Sequence, residues 1–411
     1  MERWVRVMEW IDAATAAERL GVKPATLYAY VSRGVLQRRH GDDGRRSLFS
    51  AEEVERLARR GRPRGQPPEL VIESAITALG ADRPYYRGAD ALNLALTSDY
   101  ESVAAHLWNP APAPQAPPRR GTEGQEAWRC EEEALRAAVA AQGGLPRDLL
   151  PLDRLQVITT VLGASDSLRH QLDPASVAAT GRRLIAGLVD ALPPLGEPAG
   201  ESIAERLWAR LCPRPAEPAL LGALGAALVL LADHELAAST LAARVAASAK
   251  ADPYAVVLTG LGVLGGPLHG GASYGAERLL REIAEPGQAA RVIADRVRRG
   301  ERIPGFGHSV YKNGDARGTL LSDLVKAAAP GHDRVAAAQA VQAEAQRRRL
   351  PAGNIDFALA TLTAVAGMVS GAGEAIFAVS RAAGWLAHAM EEYERGSLLR
   401  LRASYTGPSP A

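Results

Sequence analysis

The sequence predicts an all-α body behind a small head of short helices and a two-stranded wing. Three observations carry that expectation. Beyond Glu69, alanine is abundant, aromatic residues are few, and apolar residues recur at three- and four-residue spacing. The stretch GRPRGQPP, Gly61–Pro68, contains two Gly and three Pro, a breaker that sets the head apart from the body. Charge is also uneven. Through Gln66 there are 14 basic against 9 acidic residues, although the whole 411-residue chain holds 48 Lys and Arg against 46 Asp and Glu. A basic head on a slightly acidic body bears on partners, not on fold. The net charge of +2 argues against nucleic-acid binding by the chain as a whole, and 47% hydrophobic residues exclude a disordered one. The length suggests two or three folding units at roughly 150 residues each.

In the head, Thr15-Ala-Ala-Glu18 reads as a capping box opening a helix that ends at Gly21. Pro24 starts a second helix, Pro24–Ser32, because a first-turn proline forfeits no helical hydrogen bond. Gly34, Gly41 and Gly44 mark a turn and the wing, and Ser50-Ala-Glu-Glu53 opens a third helix through about Arg60. This gives a head at 1–60, a linker at 61–68 and a body at 69–411. In the body, helical spacing is clear over Ser176–Leu192, Ile203–Leu211, Leu220–Ala232, Ser239–Ala249, Arg334–Arg347 and Ala358–Val369. Asn109–Glu126, rich in Pro, Ala and Arg, reads as an exposed loop. The longest apolar run, Ala219–Ala232, is too short for a bilayer and fits a buried helix. The interleaved charges of MERWVRVMEW do not form a signal peptide, and two cysteines, Cys130 and Cys212, make neither a disulfide framework nor a metal site. A cytoplasmic protein without membrane contact is expected.

Four polar constellations interrupt the apolar helices: Ala232-Asp-His-Glu235, the glycine-flanked His269 of GGPLHGG, His308 to Lys312 with Asp315-Ala-Arg317, and Asn354-Ile-Asp356-Phe357. Glycine beside a histidine lets backbone approach a ligand and leaves amide N–H groups facing it. His40, His106, His170 and His332 lack such settings and read as structural or surface residues. The set suits carbon–carbon chemistry. A carboxylate removes a carbon-bound proton, one neutral imidazole donates to the developing enolate oxygen, and a second polarises an acceptor carbonyl. An aspartate with a reference pKa near 3.9 is a poor base unless desolvated, so the site should be dry. Arginines should hold a dicarboxylate in fork geometry.

These residues resemble the citrate synthase family. Ile76-Thr77, Tyr86-Arg-Gly88, LADHELAAST, GGPLHGGA, PGFGHSVYKNGDAR, NIDF, GWLAH and RLRASYTG occur in family order across Glu69–Gly407. The resemblance implies a nearly all-helical homodimer with a large domain and a small lid at about 270–357. It also implies condensation of acetyl-CoA with oxaloacetate to citrate and CoA, with the CoA ester as substrate and no permanently bound cofactor or metal. Carried over, His269 donates to the thioester oxygen, Asp356 takes the methyl proton and His308 donates to the oxaloacetate carbonyl. His234, Arg317 and Arg400 hold oxaloacetate, while Lys312, Gly305, Gly307 and Asn354 line the CoA side. The chain departs from the family pattern at Leu231, Ala237 and Ser273, where His, Asn and Asn are usual. A further arginine of the family's C-terminal arm has no counterpart after Gly407, so a carboxylate clamp is expected to be missing or supplied by a longer paralogous subunit.

The head resembles the winged helix-turn-helix of MerR-type and excisionase-type regulators, through AAERLGVKPATLYAYVSRGVLQRR and FSAEEVERL. That resemblance implies Pro24–Ser32 in a DNA major groove with Arg33, Arg38, Arg39, Arg45 and Arg46 near phosphates. Alternatives to the condensing enzyme are a 2-methylcitrate synthase using propionyl-CoA, or a ligand-sensing regulator built on the same fold. Gly260-Leu-Gly262-Val-Leu-Gly265 follows the strand-like Ala255–Leu258 and matches a dinucleotide fingerprint, but no βαβ pattern surrounds it.

Overall fold

The computed structural model describes residues 10–20, 22, 24–32, 36–41, 47–51, 53–54, 71–109, 128–401, 403 and 406–407. The chain forms two compact units, Met1–Glu73 and Ser74–Ala411.

In the first unit, β1 (Trp10–Asp12) precedes α1 (Ala13–Leu20), α2 (Pro24–Ser32), β2 (Arg38–His40) and β3 (Ser47–Ser50). The wing gains a strand that periodicity did not show. β1 pairs antiparallel with β3, giving the order β1-β3-β2. Helix α1 starts ahead of Thr15 because Asp12 Oδ1 accepts the Thr15 N–H at 2.8 Å, so Asp12 serves as the cap. Ser50 Oγ accepts the Glu53 N–H at 3.4 Å, and most of the third helix lies outside the described residues. Ile11, Ala16, Leu27, Leu36, Phe49 and Val54 form the small core.

The second unit opens with a three-stranded antiparallel sheet, β4 (Thr77–Leu79), β5 (Pro84–Tyr86) and β6 (Ala89–Asp90), in a segment where the sequence showed no strand pattern. Helices follow: α3 (Ala91–Thr97), α4 (Tyr100–Trp108), α5 (Glu132–Ala141), α6 (Pro151–Ser165), α7 (Pro174–Asp190), α8 (Ile203–Leu211), α9 (Pro218–Leu231), α10 (Ala238–Ser248) and α11 (Pro253–Leu264). Then come α12 (Gly271–Glu282), α13 (Ala289–Arg298), α14 (Ala316–Ala328), α15 (Asp333–Arg347), α16 (Ile355–Ala366) and α17 (Ala372–Arg395). Helices α6, α7, α9 and α11 begin on proline, and Asp173 and Asp252 cap α7 and α11. The glycine fingerprint falls within and just after α11, so Ala255–Leu258 is helical and no dinucleotide unit exists there.

Two apolar cores divide this unit. The larger centres on α17, whose Ala372–Met390 stretch is buried throughout, with Trp385 fully enclosed. The smaller joins α12, α13, α15 and the start of α16 through Ala276, Leu279, Leu280, Ile293, Val341 and Phe357. No helix among the described residues is long and apolar enough to cross a membrane. The Asn109–Glu126 loop falls almost wholly outside the described residues.

Candidate active site

Each chemical residue sits where a helix starts or stops. His234 follows α9, His269 lies in the turn before α12, and His308 lies between α13 and α14. Arg317 and Asp356 occupy the first turns of α14 and α16. Helix ends expose unpaired backbone groups and free a side chain from the packed interior, so reactive residues can face a crevice there.

The His269 turn is closed by its own N–H donating to the Gly266 carbonyl, and the Ala272 N–H donates to the His269 carbonyl, each at 2.9 Å. His269 Nε2 lies 2.7 Å from Ser239 Oγ, which accepts the Trp385 indole N–H at 3.1 Å. With the indole as donor, the serine hydroxyl has its own proton to give to Nε2, which places the His269 proton on Nδ1. Burial and the nearby Arg381 cation hold this imidazole's pKa down at about 4. It is a neutral donor.

His308 has the opposite tautomer. Its Nδ1 accepts the Val310 and Tyr311 N–H groups at 3.1 and 3.2 Å, leaving the proton on Nε2. Burial and Arg317 lower its pKa to about 4. His308 Nε2 and Arg317 NH2 are 3.5 Å apart, two donors with no acceptor between them. A substrate oxygen placed there satisfies both. The His234 ring is 5.1 Å from that of His308, and its Nε2 is 2.9 Å from the Tyr311 hydroxyl. Burial, then Arg317 and Arg381, keep His234 well below its ordinary pKa.

Asp356 is raised to about 6, chiefly by burial, and its residual stabilisation comes from Ser273 Oγ donating to Oδ1 at 2.6 Å. Ser273, a departure from the family pattern, thus holds the base directly. Ser273 is one helical turn past His269, which ties Asp356 to the His269 turn. Asp356 does not cap its helix. Asn354 Oδ1 takes the N–H groups of Asp356 and Phe357, while Asn354 Nδ2 donates to the Gly307 carbonyl at 2.8 Å. Both ends of that carboxamide are therefore engaged in structure, fastening the start of α16 to the Gly307 loop.

Arg317 is anchored by Asp315, whose two oxygens accept Nε and NH2 at 2.9 Å each. The second expected clamp does not join the cluster within this chain. Arg400 is exposed in the segment after α17 and makes no described bond to the cluster. Arg381 of α17 borders the cluster instead. Its side chain is 1% exposed, Nε donates to the Leu231 carbonyl at 2.7 Å, and NH1 has no partner among the described residues. Its charge acts on His234, His269, Asp356 and Arg317, and it stacks on Phe377, whose ring also meets His269 edge-on at 5.8 Å. Two guanidiniums, Arg317 and Arg381, thus border the cluster within one chain. Sequence reasoning missed Arg381, Ser239 and Tyr311. SRAAGWLAH carries an arginine in an otherwise apolar stretch, which is the signal that was available.

On the other side, Gly305 and Gly307 adopt φ of 78° and 80°. A Cβ on Gly305 would stand 2.9 Å from the Phe357 nitrogen, so only glycine fits against the start of α16. Lys312 is exposed. In the head, Arg38 and Arg39 are exposed on β2, with Arg39 4.6 Å over the Trp10 ring, whereas Arg33, Arg45 and Arg46 lie outside the described residues.

Comparison with known proteins identifies the family. Residues 68–402 match the family described as citrate synthase, C-terminal domain, and residues 10–62 match a helix-turn-helix domain. Citrate synthase 2 of Bacillus subtilis is 31% identical over 84% of this chain and 96% of its own. A 2-methylcitrate synthase of Mycobacterium tuberculosis is 29% identical over 78% of this chain and 84% of its own. The citrate synthase of Thermotoga maritima superposes with a TM-score of 0.67 at 26% identity, over 84% of this chain and 96% of that one. The chain therefore belongs to the citrate synthase family of acyl-CoA condensing transferases.

Proposed function

We propose that this protein condenses acetyl-CoA with oxaloacetate to give citrate and CoA. The observation that carries the reading is the pairing of an up-shifted Asp356 with two unprotonated imidazoles of fixed and opposite tautomer, around Arg317 and Arg381. Asp356 takes a methyl proton from the thioester while the His269 Nδ1–H supports the enolate oxygen. The enolate carbon attacks the keto carbon, and the His308 Nε2–H supplies a proton to the forming alkoxide. Water then cleaves the thioester, releasing citrate and CoA. Each positioned acid or base is worth ~10²–10⁴-fold. Arg317, Arg381 and His234 hold the keto acid, and Lys312 with the Gly305 and Gly307 backbone faces the CoA phosphates and adenine. The smaller core, near residues 270–357, acts as the lid that excludes water. Thiol release with acetyl-CoA and oxaloacetate tests the reading, with propionyl-CoA in parallel for the 2-methylcitrate alternative. No turnover with either ester would overturn it.

The same reading places the enzyme in the cytoplasm as a homodimer that supplies the tricarboxylic acid cycle. Free Cys130 and Cys212 suit a reducing compartment. Leu241 and Val245, 39% and 46% exposed one turn apart on α10, offer an apolar face to a second copy. Arg400, exposed and without a hydrogen bond among the described residues, would hold the keto acid in that copy's site. The helix-turn-helix match supports a second activity, DNA binding by the head through α2, with Arg38 and Arg39 near phosphates. Fluorescence anisotropy with labelled duplex tests it. Binding that weakens steeply with salt supports it, and none at low salt rejects it.

A further inference from the structure

Behind the keto-acid site runs a line of buried polar groups that the condensation chemistry does not use. Arg244 of α10 is fully enclosed. Its Nε donates to Glu392 Oε1 and its NH1 to Glu391 Oε2, both at 2.7 Å. The same NH1 lies 2.7 Å from His388 Nδ1, and His388 Nε2 lies 3.3 Å from Asp233 Oδ2. His388 and Asp233 are both fully buried. A guanidinium can only donate, so Nδ1 of His388 must accept. The ring proton then sits on Nε2 and points at Asp233.

Asp233 is the residue before His234. Its Oδ2 also accepts the Glu235 N–H at 3.0 Å, so the carboxylate reaches across His234 to the backbone that follows it. That backbone needs holding, because Glu235 adopts φ of 51°, the left-handed region that side-chain-bearing residues avoid. The loop also lies directly on α17. The Gly384 N–H donates to the Ala232 carbonyl at 3.1 Å, and a Cβ there would come within 2.5 Å of that oxygen.

We propose that His388 is a positioning residue for the keto-acid site: locked as the Nε2–H tautomer by Arg244, it holds Asp233 and so fixes the loop that presents His234. It touches no substrate itself. The inference rests on reading the His234 pocket as the keto-acid site of a condensing enzyme.

The test compares His388→Leu, which removes both bonds, with His388→Gln, whose carboxamide can accept from Arg244 and donate to Asp233. KM is measured separately for oxaloacetate and acetyl-CoA. His388→Leu should raise the oxaloacetate KM by roughly 10- to 100-fold, the scale expected for a small displacement of a binding group. The acetyl-CoA KM at saturating oxaloacetate should stay within about twofold, and His388→Gln should recover most of the loss. An unchanged oxaloacetate KM in the leucine variant, equal rises for both substrates, or no recovery by glutamine overturns the proposal. Should the leucine variant not fold, ¹⁵N-histidine NMR of the native protein decides: the Nε2–H tautomer at His388 supports the network and the Nδ1–H tautomer refutes it. A native protein inactive with every keto acid would instead sink the functional reading, and the NMR arm would still report on the network.

Discussion

Asp356 faces two opposed demands. In the proposed condensation it has to be basic enough to take a carbon-bound proton, yet be the ionised form at neutral pH. Burial raises it to about 6, which meets both. Asp356→Ala should lower kcat by ~10²–10⁴-fold in the thiol-release assay. Because the base works only when deprotonated, kcat/KM should fall as pH drops through about 6. The imidazoles, held near 4, are still neutral in that range, so the acid limb belongs to the aspartate. A pH profile flat to pH 5 would contradict this. The same shift affects stability. A carboxyl raised from 3.8 to about 6 on folding contributes stability below 3.8 that is lost as pH rises through about 6. Asp356→Asn should therefore melt higher than the native protein at pH 8, by roughly 1–3 °C, and show no gain near pH 4. His234, His269, His308 and Asp356 are legible in the sequence because polar, glycine-rich stretches break apolar helices around them. Arg381 is not, since an arginine within a helix ordinarily reads as a solvated face. Its enclosure by Phe377 and the Leu231 carbonyl is tertiary information.

At the level of elements, α8 was legible to the residue, and α7, α9, α10 and α15 to within a few positions, because apolar spacing recurs over several turns and proline or aspartate marks the starts of α7, α9 and α15. The strands β1 and β4–β6 were not, since two or three residues are too few to show alternation. Asn354 shows the limit in another way. As a residue before an acidic helix start it fits a ligand contact or a cap equally well, and only its bond to the Gly307 carbonyl separates the two. The junction it fastens makes a sharp prediction. Gly305→Ala forces a side chain into φ of 78° and against the Phe357 backbone. Urea denaturation should show a loss of about 1–3 kcal/mol, and the KM for the acyl-CoA should rise. A neutral result would mean that this loop moves aside more easily than its contacts imply.

For the whole molecule, light scattering should give a particle of twice the 43.4 kDa chain mass, and Leu241→Glu with Val245→Glu should shift it toward the single chain. A wild-type monomer at micromolar concentration would remove the basis for assigning Arg400 to a neighbouring copy. The two units are separately compact, so a chain beginning at Glu69 should keep its condensing rate while losing any DNA retention. The division into head and body was legible from one proline-rich stretch, whereas the two cores of the body were not, because helical spacing says nothing about which helices share an interior. Arg381 carries one more consequence. The enclosed Arg381 has an NH1 with no hydrogen-bond partner among the described residues, a donor that a bound keto-acid carboxylate would engage. Oxaloacetate alone, without any thioester, should therefore raise the melting temperature, corresponding to about 2.7 kcal/mol at a hundred times its Kd. Limited proteolysis should likewise cut the keto-acid-free protein fastest and slow in step with oxaloacetate occupancy, so that the metabolite would set its catalyst's lifetime as well as its rate.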